Sequence, residues 1–438
     1  MVESVDFELD AGPPDAATPA VVDLGGAPPA LEVASAVAAA RPNWLRQRLV
    51  DFALLMRLDR PIGIWLLLWP TLWALWSAAG GHPQWRLLVI FTLGTVLMRS
   101  AGCVINDLID RDIDPHVRRT RSRPLAARRV TPIEALALFA LLAGAAFLLV
   151  LQLNATCLRL SLIGAALTVS YPLLKRFFPI PQLYLGLAFG WAVPMAYAAE
   201  LGFVPRVGWV LMLAAVVWAG VYDTFYAMAD RPDDLRIGVK SSAITFGDMD
   251  LLMVAAMQVM VLLALLFAGR LLLLGAPYFY AVATGAGFFA RQLWLARHRD
   301  PDGCMRAFHN NNYFGIVILA GLILDYATQR AMLPPGVEVF RFAGPMFFGV
   351  AGEMLDVLHR SGRNPRVIVL RMERVPYIDS SGATAIESLV RQARSKGTRV
   401  LLCDLHTQPA QFLERIWARF SGAERVATFQ EALARCVA

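Results

Sequence analysis

Two rows of carboxylates are the strongest chemical signal in this 438-residue sequence. The first lies in Asn106-Asp107-Leu108-Ile109-Asp110-Arg111-Asp112-Ile113-Asp114, where Asp107, Asp110 and Asp114 are three and four residues apart. At 100° per residue they fall within about 60° of one helix face, and Asp112 points elsewhere. The second runs from Tyr222-Asp223 through Tyr226 and Asp230 to Asp234. Asp223, Tyr226 and Asp230 share a face. Asp234 joins them only if the helix passes Pro232, which is expected to break or restart it. Hard oxygen donors suit Mg²⁺, an ion that keeps waters and bridges carboxylates to substrate phosphates. Arg111, Arg118, Arg121, Arg123, Lys175, Arg176 and Lys240 lie nearby and suit anionic oxygens. Acids for a metal beside bases for phosphate oxygens predict a metal–diphosphate site. One acidic row alone would read as a solvated helix end. Two rows, each starting inside an apolar run, read as a site, because a carboxylate within a membrane is costly without a compensating charge.

Three arginines extend this pattern. Arg99 precedes Asp107 by eight residues on a similar face. It reads equally as an anchor for a small carboxylate or diphosphate and as a structural partner for a nearby acid or carbonyl. Arg57 and Arg60, flanking Asp59, read either as interfacial anchors or as further cations for an acidic substrate.

The elements that must position these groups are membrane helices. Apolar residues make up 57% of the chain and charged residues 17%, which excludes a wholly soluble or a disordered protein. Runs near the ~20 residues needed to cross a bilayer fall at roughly 62–81, 86–105, 132–152, 157–177, 182–201, 207–227, 251–269, 271–293 and 312–330. The fold class expected is an all-α polytopic bundle of about nine transmembrane helices. Joints rich in Arg and Lys alternate with joints carrying about one Arg each. The positive-inside rule then places the N-terminus and both acidic rows on the cytoplasmic side of the cell inner membrane. The same rule accounts for the net charge of +7, so no nucleic-acid partner is expected.

Both ends of the chain differ from this middle. Residues 1–40 are Ala/Pro-rich, hold seven acids and no Lys or Arg, and read as a disordered tail. The membrane domain is expected over 44–330. After Leu333-Pro334-Pro335-Gly336, β-type runs at Val337–Phe342, Val367–Met372 and Thr398–Cys403 alternate with helical patterns at roughly 346–360, 382–396 and 408–420. This alternation predicts a small α/β domain over 334–438. The five widely spaced cysteines make neither a disulfide framework nor a zinc ribbon.

The two acidic rows, with Arg57–Gly63, Leu66–Trp73, Arg99–Asp107, Thr120–Leu125 and Gly238–Ala243, resemble the UbiA superfamily of membrane prenyltransferases over roughly 44–330, and most of all its branch acting on 4-hydroxybenzoate. The resemblance implies nine helices around a central cavity, Mg²⁺, a polyprenyl diphosphate donor drawn from the lipid bilayer and an aromatic acid acceptor. Carried over by position, Asn106, Asp110, Asp114, Asp223, Asp230 and Asp234 hold the metal and diphosphate. Arg111, Lys175, Arg176 and Lys240 neutralise its oxygens. Arg99, Arg57 and Arg60 are candidates for the acceptor carboxylate. Asp107 belongs to the motif, with its role as a ligand left open.

The C-terminal stretches Pro335–Val337, Arg341–Pro345 and Val367–Ile378, followed by Asp379-Ser380-Ser381-Gly382-Ala383, resemble a STAS domain like that ending SulP-type anion transporters. Its partner is unknown. Ser381 reads as a phosphorylation site by this resemblance, or Ser380 or Ser381 as a simple helix cap.

One expectation conflicts with another. Nine crossings that begin in the cytoplasm end outside, whereas STAS domains are cytoplasmic. Either this domain lies outside, or one of the last spans does not cross, or two genes have been fused. Two other functions compete: transfer to another aromatic acceptor, and STAS-regulated anion transport. Transport predicts matched internal repeats of interrupted helices, and the sequence shows no such repeat.

Overall fold

The structure, a computed structural model, describes residues 44–112, 114–116, 120–174, 180–238, 240–331, 333–343, 346, 365–420 and 422–437. The tail expected over 1–40, Arg118, Arg119, Lys175, Arg176 and most of the helix expected over 346–360 lie outside these residues. The chain divides into two compact units at Val50/Asp51. Of the first unit, the described part is the opening of helix α1 (Trp44–Leu55).

Helices follow one another through the apolar region: α2 (Ile62–Ala78), α3 (Trp85–Ile109), α4 (Pro132–Val150), α5 (Ala155–Leu174), α6 (Pro181–Gly190), α7 (Ala192–Leu201), α8 (Arg206–Ile237), α9 (Ser242–Phe246), α10 (Asp250–Leu271), α11 (Ala276–Ala296) and α12 (Pro301–Ala331). Every expected apolar run falls on a helix or a helix pair. Among the described residues, five stretches are long and apolar enough to cross a bilayer: Trp85–Ile109, Pro132–Val150, Arg206–Arg236, Ser242–Leu271 and Pro301–Arg330. Ile62–Ala78 and Ala155–Tyr171 are apolar but shorter.

Three boundaries depart from the sequence reading, each for a local reason. The run 182–201 is two helices, because Pro194 lacks the N–H that would bond Gly190 and its ring crowds that carbonyl; the chain turns at Trp191. The helix expected from 312 starts at Pro301, where Asp300 accepts a bond from Gly303 N at 2.7 Å and a proline occupies the first position, a favoured helix start. And α8 does not break at Pro232. It runs on to Ile237, with Gly238 in the left-handed region as its stop.

α8 is the hub. It packs on α2, α6, α7, α9, α10 and α12, and 78% of its apolar window is buried, against 17% for α4 on the outside. Gly186 lets α6 come this close: a Cβ there would lie 2.5 Å from the Val216 carbonyl oxygen, so a small residue at this crossing is required. Around α8 lies a stack of large rings. Trp73 and Trp218 are 5.2 Å apart between centroids, and Phe314 and Phe289 are 4.1 Å apart. Consecutive asparagines on α12 satisfy the indoles: Trp218 Nε1 donates to Asn311 Oδ1 and Trp69 Nε1 to Asn312 Oδ1, both at 2.8 Å.

The joints alternate between two ends of the bundle. At one end Gln84 N donates to Glu200 (3.3 Å), Arg86 to the Gln152 carbonyl (2.9 Å), Asn154 to the Ala198 carbonyl (2.6 Å) and Arg330 to His82 Nε2 (2.7 Å). There too the buried Asp325 of α12 accepts from Gly275 N at 2.7 Å and Tyr278 N at 3.3 Å, capping α11 from a neighbouring helix. At the other end Arg129 pairs with Asp51, Arg57 with Asp107, and Arg231 and Arg299 with Asp250. Both acidic rows lie at that second end. The chain leaves the bundle from the first, at Arg330.

The C-terminal region is a four-stranded parallel sheet in the order β1-β2-β3-β4: β1 (Val337–Ala343), β2 (Val367–Arg374), β3 (Arg399–Cys403) and β4 (Ala423–Arg425). Its helices are α13 (Ser380–Ser395), α14 (Thr407–Arg415) and α15 (Phe429–Val437). Alternate residues face opposite sides. Ile368, Leu370, Val400 and Leu402 pack with α13 and α14, while Val367, Val369, Leu401 and Cys403 pack with α15. Strand β4 and helix α15 are additions to the sequence reading. β4 has three residues, too few for an alternating pattern to show.

Candidate active site

The first acidic row occupies the end of α3 and the loop beyond it. Asn106 and Asp107 are helical, and Asp110 caps the helix, its N–H bonding the Asn106 carbonyl at 2.9 Å. Asp114 opens a single 3-10 turn, its N–H bonding the Asp110 carbonyl at 2.9 Å. The helix thus ends within the motif, and one more hydrogen bond carries the same face forward to Asp114. Asn106 Nδ2 donates to Asp110 Oδ2 at 3.1 Å.

Asp107 and Asp114 are both buried, and arginines hold them. Arg57 donates to both oxygens of Asp107, at 2.9 and 3.0 Å. Arg123 bridges the pair, donating from Nη1 to Asp107 Oδ1 at 3.0 Å and to Asp114 Oδ2 at 2.8 Å. Thr120 adds a 2.8 Å bond to the Asp114 carbonyl, closing the loop that returns Arg123 to the motif. Burial alone lowers the Arg57 pKa, but the Asp107 carboxylate, together with Cys103 and Tyr226, raises it to above its ordinary value. For Asp114, burial and the neighbouring Asp107 and Asp110 together raise the carboxyl pKa against the lowering by Arg123. Arg57 sits at φ 59°. A left-handed non-glycine residue costs about 1 kcal/mol, and it recurs where surrounding contacts determine the geometry.

The second row lies on α8. Asp223, Asp230 and Asp234 are half-buried, and Asp223 is within electrostatic range of both of the others and of Arg99. Because the helix continues past Pro232, Asp234 does share the face. Below it, Thr224 and Ser242 hydroxyls bond at 2.9 Å and Ser242 N donates to Gln182 Oε1 at 3.0 Å. These bonds join α8, α9 and α6.

Arg99 of α3 faces the second row. Its guanidinium donates to Cys103 Sγ and lies against Gly63 at the start of α2, where a Cβ would come within 2.6 Å of Nε. Glycine is therefore needed at position 63 for Arg99 to lie there. Tyr171, at the end of α5, feels Arg99, Asp110 and Asp223 together. Tyr171 thus lies within electrostatic range of both rows. Among the described residues Arg99 forms no ion pair.

The remaining candidates are more dispersed. Arg60 is exposed beside Asp59, 3.5 Å away, and Arg111 is exposed beside Asp112, 3.7 Å away. Lys240 is exposed just after α8. Lys175 and Arg176 lie outside the described residues. Among those residues no three His, Cys, Asp or Glu side chains converge as a ready-made metal shell. In the C-terminal domain Asp379, not either serine, caps α13 by accepting from Gly382 N at 2.8 Å; Ser381 is half-buried in the first turn. Sequence reasoning missed Tyr171 and the fit of Gly63 to Arg99. The position of Tyr171 four residues before Lys175, at the end of an apolar run, was the available signal.

This bundle, with two acidic rows on one end, has known counterparts. The model of the UbiA prenyltransferase family matches residues 67–317, and that of the STAS domain matches residues 330–431. The chain belongs to the UbiA prenyltransferase family. It is 55% identical over 284 residues to a 4-hydroxybenzoate octaprenyltransferase of Nitrosococcus oceani, covering 65% of this chain and 100% of that one. A protein of the same description from Saccharophagus degradans is 53% identical over 281 residues, 64% of this chain and 94% of its own. Among solved structures, a UbiA homolog from Aeropyrum pernix K1 superposes with a TM-score of 0.53 at 26% identity, covering 59% of this chain and 97% of that chain. A UbiA homolog from Archaeoglobus fulgidus, bound to GPP and Mg²⁺, shares the fold with a TM-score of 0.50 at 16% identity, over 63% and 99% of the two chains.

Removing Arg123 should leave Asp107 and Asp114 under-compensated. Arg123→Ala is expected to lower unfolding stability in detergent by about 3–5 kcal/mol, the cost of breaking a buried pair. Arg123→Lys should recover only part of it, since it keeps the charge on a shorter side chain without the planar guanidinium geometry that sets Nη1 between the two carboxylates. An unchanged unfolding midpoint in Arg123→Ala would count against the clamp.

Proposed function

We propose that the protein transfers a polyprenyl group from polyprenyl diphosphate to the ring carbon ortho to the hydroxyl of 4-hydroxybenzoate, a membrane step of ubiquinone biosynthesis. The observation that supports this most directly is the identity to 4-hydroxybenzoate octaprenyltransferases over nearly their full length, together with two acidic rows that both lie within electrostatic range of Tyr171. The domains are residues 44–330 for transfer and 334–438 for the STAS unit.

The donor set fits Mg²⁺. It is all oxygen and spread over two rows, and Mg²⁺ takes one or two carboxylates and completes its shell with waters and substrate phosphate. Asn106, Asp110, Asp114, Asp223, Asp230 and Asp234 would hold the ion and diphosphate. Asp107, whose carboxylate already has two arginines where Asp114 has one, is assigned to anchoring the end of α3. When bound, Mg²⁺ would offset the negative charge that grows on the departing diphosphate.

The chain's own groups supply the rest. Arg111, Lys175, Arg176 and Lys240 meet the diphosphate oxygens as the allylic C–O bond breaks. The apolar helices keep water from the allylic carbon. Arg99 takes the acceptor carboxylate and so turns the ring's ortho carbon towards that carbon. It is better placed for this than Arg57, which is held by Asp107, or Arg60, which is exposed. The new C–C bond forms and the ring carbon releases its proton.

The membrane arrangement proposed is nine crossings in the cell inner membrane, with the N-terminus and both acidic rows cytoplasmic. The bond between Arg330 and His82 lies at the other end of the bundle, so the STAS unit emerges on the non-cytoplasmic face. All five native cysteines are buried, so a single cysteine at exposed Lys396 reports the side. Lys396→Cys in intact cells should react with a membrane-impermeant maleimide; labelling only after lysis would reverse the assignment.

The activity is tested in membranes given Mg²⁺, polyprenyl diphosphate and a panel of aromatic acids, with products identified by mass. Wild type should yield prenylated 4-hydroxybenzoate and Asp110→Ala none. Arg99→Ala should raise KM for the acid about tenfold or more, the loss expected when a charge-assisted contact goes. Full activity in Asp110→Ala would refute the assignment.

A further inference from the structure

Asp250 belongs to neither acidic row, yet its side chain is fully buried at the start of α10. Arg231 donates to it from α8, and Arg299 donates from Nε to its two oxygens at 3.0 and 3.2 Å. Each arginine also holds a backbone carbonyl of the segment that leads into Asp250. Arg231 donates to the Ala243 carbonyl at 2.9 Å and Arg299 to the Asp248 carbonyl at 2.8 Å. Arg299 adopts φ 57° in the joint between α11 and α12, so a strained backbone is maintained where this contact is made. One carboxylate thus fastens together the end of α8, the corner between α9 and α10, and the joint that leads into α12.

The location gives the contact its consequence. Arg231 follows Asp230 directly and precedes Pro232. Proline has no N–H to give the Met228 carbonyl, so α8 lacks the bond that would link positions 228 and 232, in the turn that carries Asp230. The helix nevertheless continues to Ile237. At this point Arg231 ties the helix to Asp250 and the Ala243 carbonyl.

We propose that Asp250 is a positioning residue for the second acidic row, holding Asp230 and Asp234 at the height and rotation needed to share a cation with the first row. Asp250 itself touches neither substrate nor metal. The proposal rests on the metal–diphosphate reading above and is tested by binding without turnover. Purified protein is titrated with a non-reactive polyprenyl thiodiphosphate at several Mg²⁺ concentrations, and unfolding midpoints are measured in parallel.

Asp250→Asn should weaken Mg²⁺-dependent binding of the analogue about tenfold or more, as loss of an outer partner of a metal site does. The KM for 4-hydroxybenzoate should stay within about twofold, since Arg99 is on another helix. Arg299→Lys keeps the charge but not the geometry. It should give a smaller loss in the same direction, and it serves as the readout if Asp250→Asn does not fold. Asp325→Asn is the comparison: it removes a buried carboxylate at the opposite end and should lower the unfolding midpoint without moving the Mg²⁺ dependence. If Asp250→Asn or Arg299→Lys behaves like Asp325→Asn, Asp250 is merely structural and the proposal is overturned. If wild type fails to bind the analogue in Mg²⁺, the diphosphate site itself is wrong, and the positioning role falls with it.

Discussion

A carboxylate inside an apolar helix bundle must find a positive charge, and most of this architecture follows from how that need is met. Asp107 meets it with Arg57 and Arg123, and Asp250 with Arg231 and Arg299. Each group joins segments far apart in sequence. Arg57 comes from the turn between α1 and α2, Arg123 from the loop after α3, and Arg299 from the joint before α12. The ion pairs therefore do more than neutralise charge. They fix the end of the bundle where α3 and α8 bring their acids.

Asp107, Asp114 and Asp250 each meet a guanidinium in the structure. Asp110, Asp223, Asp230 and Asp234 are in the rows that border the space near Arg99 and Tyr171. Two rows of negative charge facing one space repel each other, and a divalent cation with an anionic substrate resolves that repulsion. Arg99 lies within electrostatic range of Asp223 and forms no ion pair among the described residues. Rigid ring packing around Trp73, Trp218 and Phe314 sets the distance between α2, α8 and α12, and so gives the site a stiff frame.

The rows themselves were legible in the sequence, because a helix places residues three and four apart on one face whatever surrounds it. So were the apolar runs and the alternation of basic joints, which depend on local composition. Tertiary contacts were not legible. Pro232 argues for a break, yet α8 runs on to Ile237, with Arg231 tied to Asp250 nineteen positions on. Arg123 reads as a phosphate-binding cation from its neighbours in sequence, yet it spans Asp107 and Asp114. Arg57 reads as an interfacial anchor until its left-handed backbone is seen to aim it at Asp107. The break at Trp191 was readable in principle from Pro194, but it lay inside an unbroken apolar stretch that looked like one crossing.

The central claim is that the two rows grip a single metal-bridged diphosphate. A double-mutant cycle on Asp110 and Asp230, read as Mg²⁺-dependent binding of a polyprenyl thiodiphosphate, tests it most directly. A shared site requires that Asp110→Asn and Asp230→Asn each weaken binding strongly, and that the double variant lose little more than the worse single. Losses that simply add, or a variant in either row that binds as well as wild type, would contradict a common site.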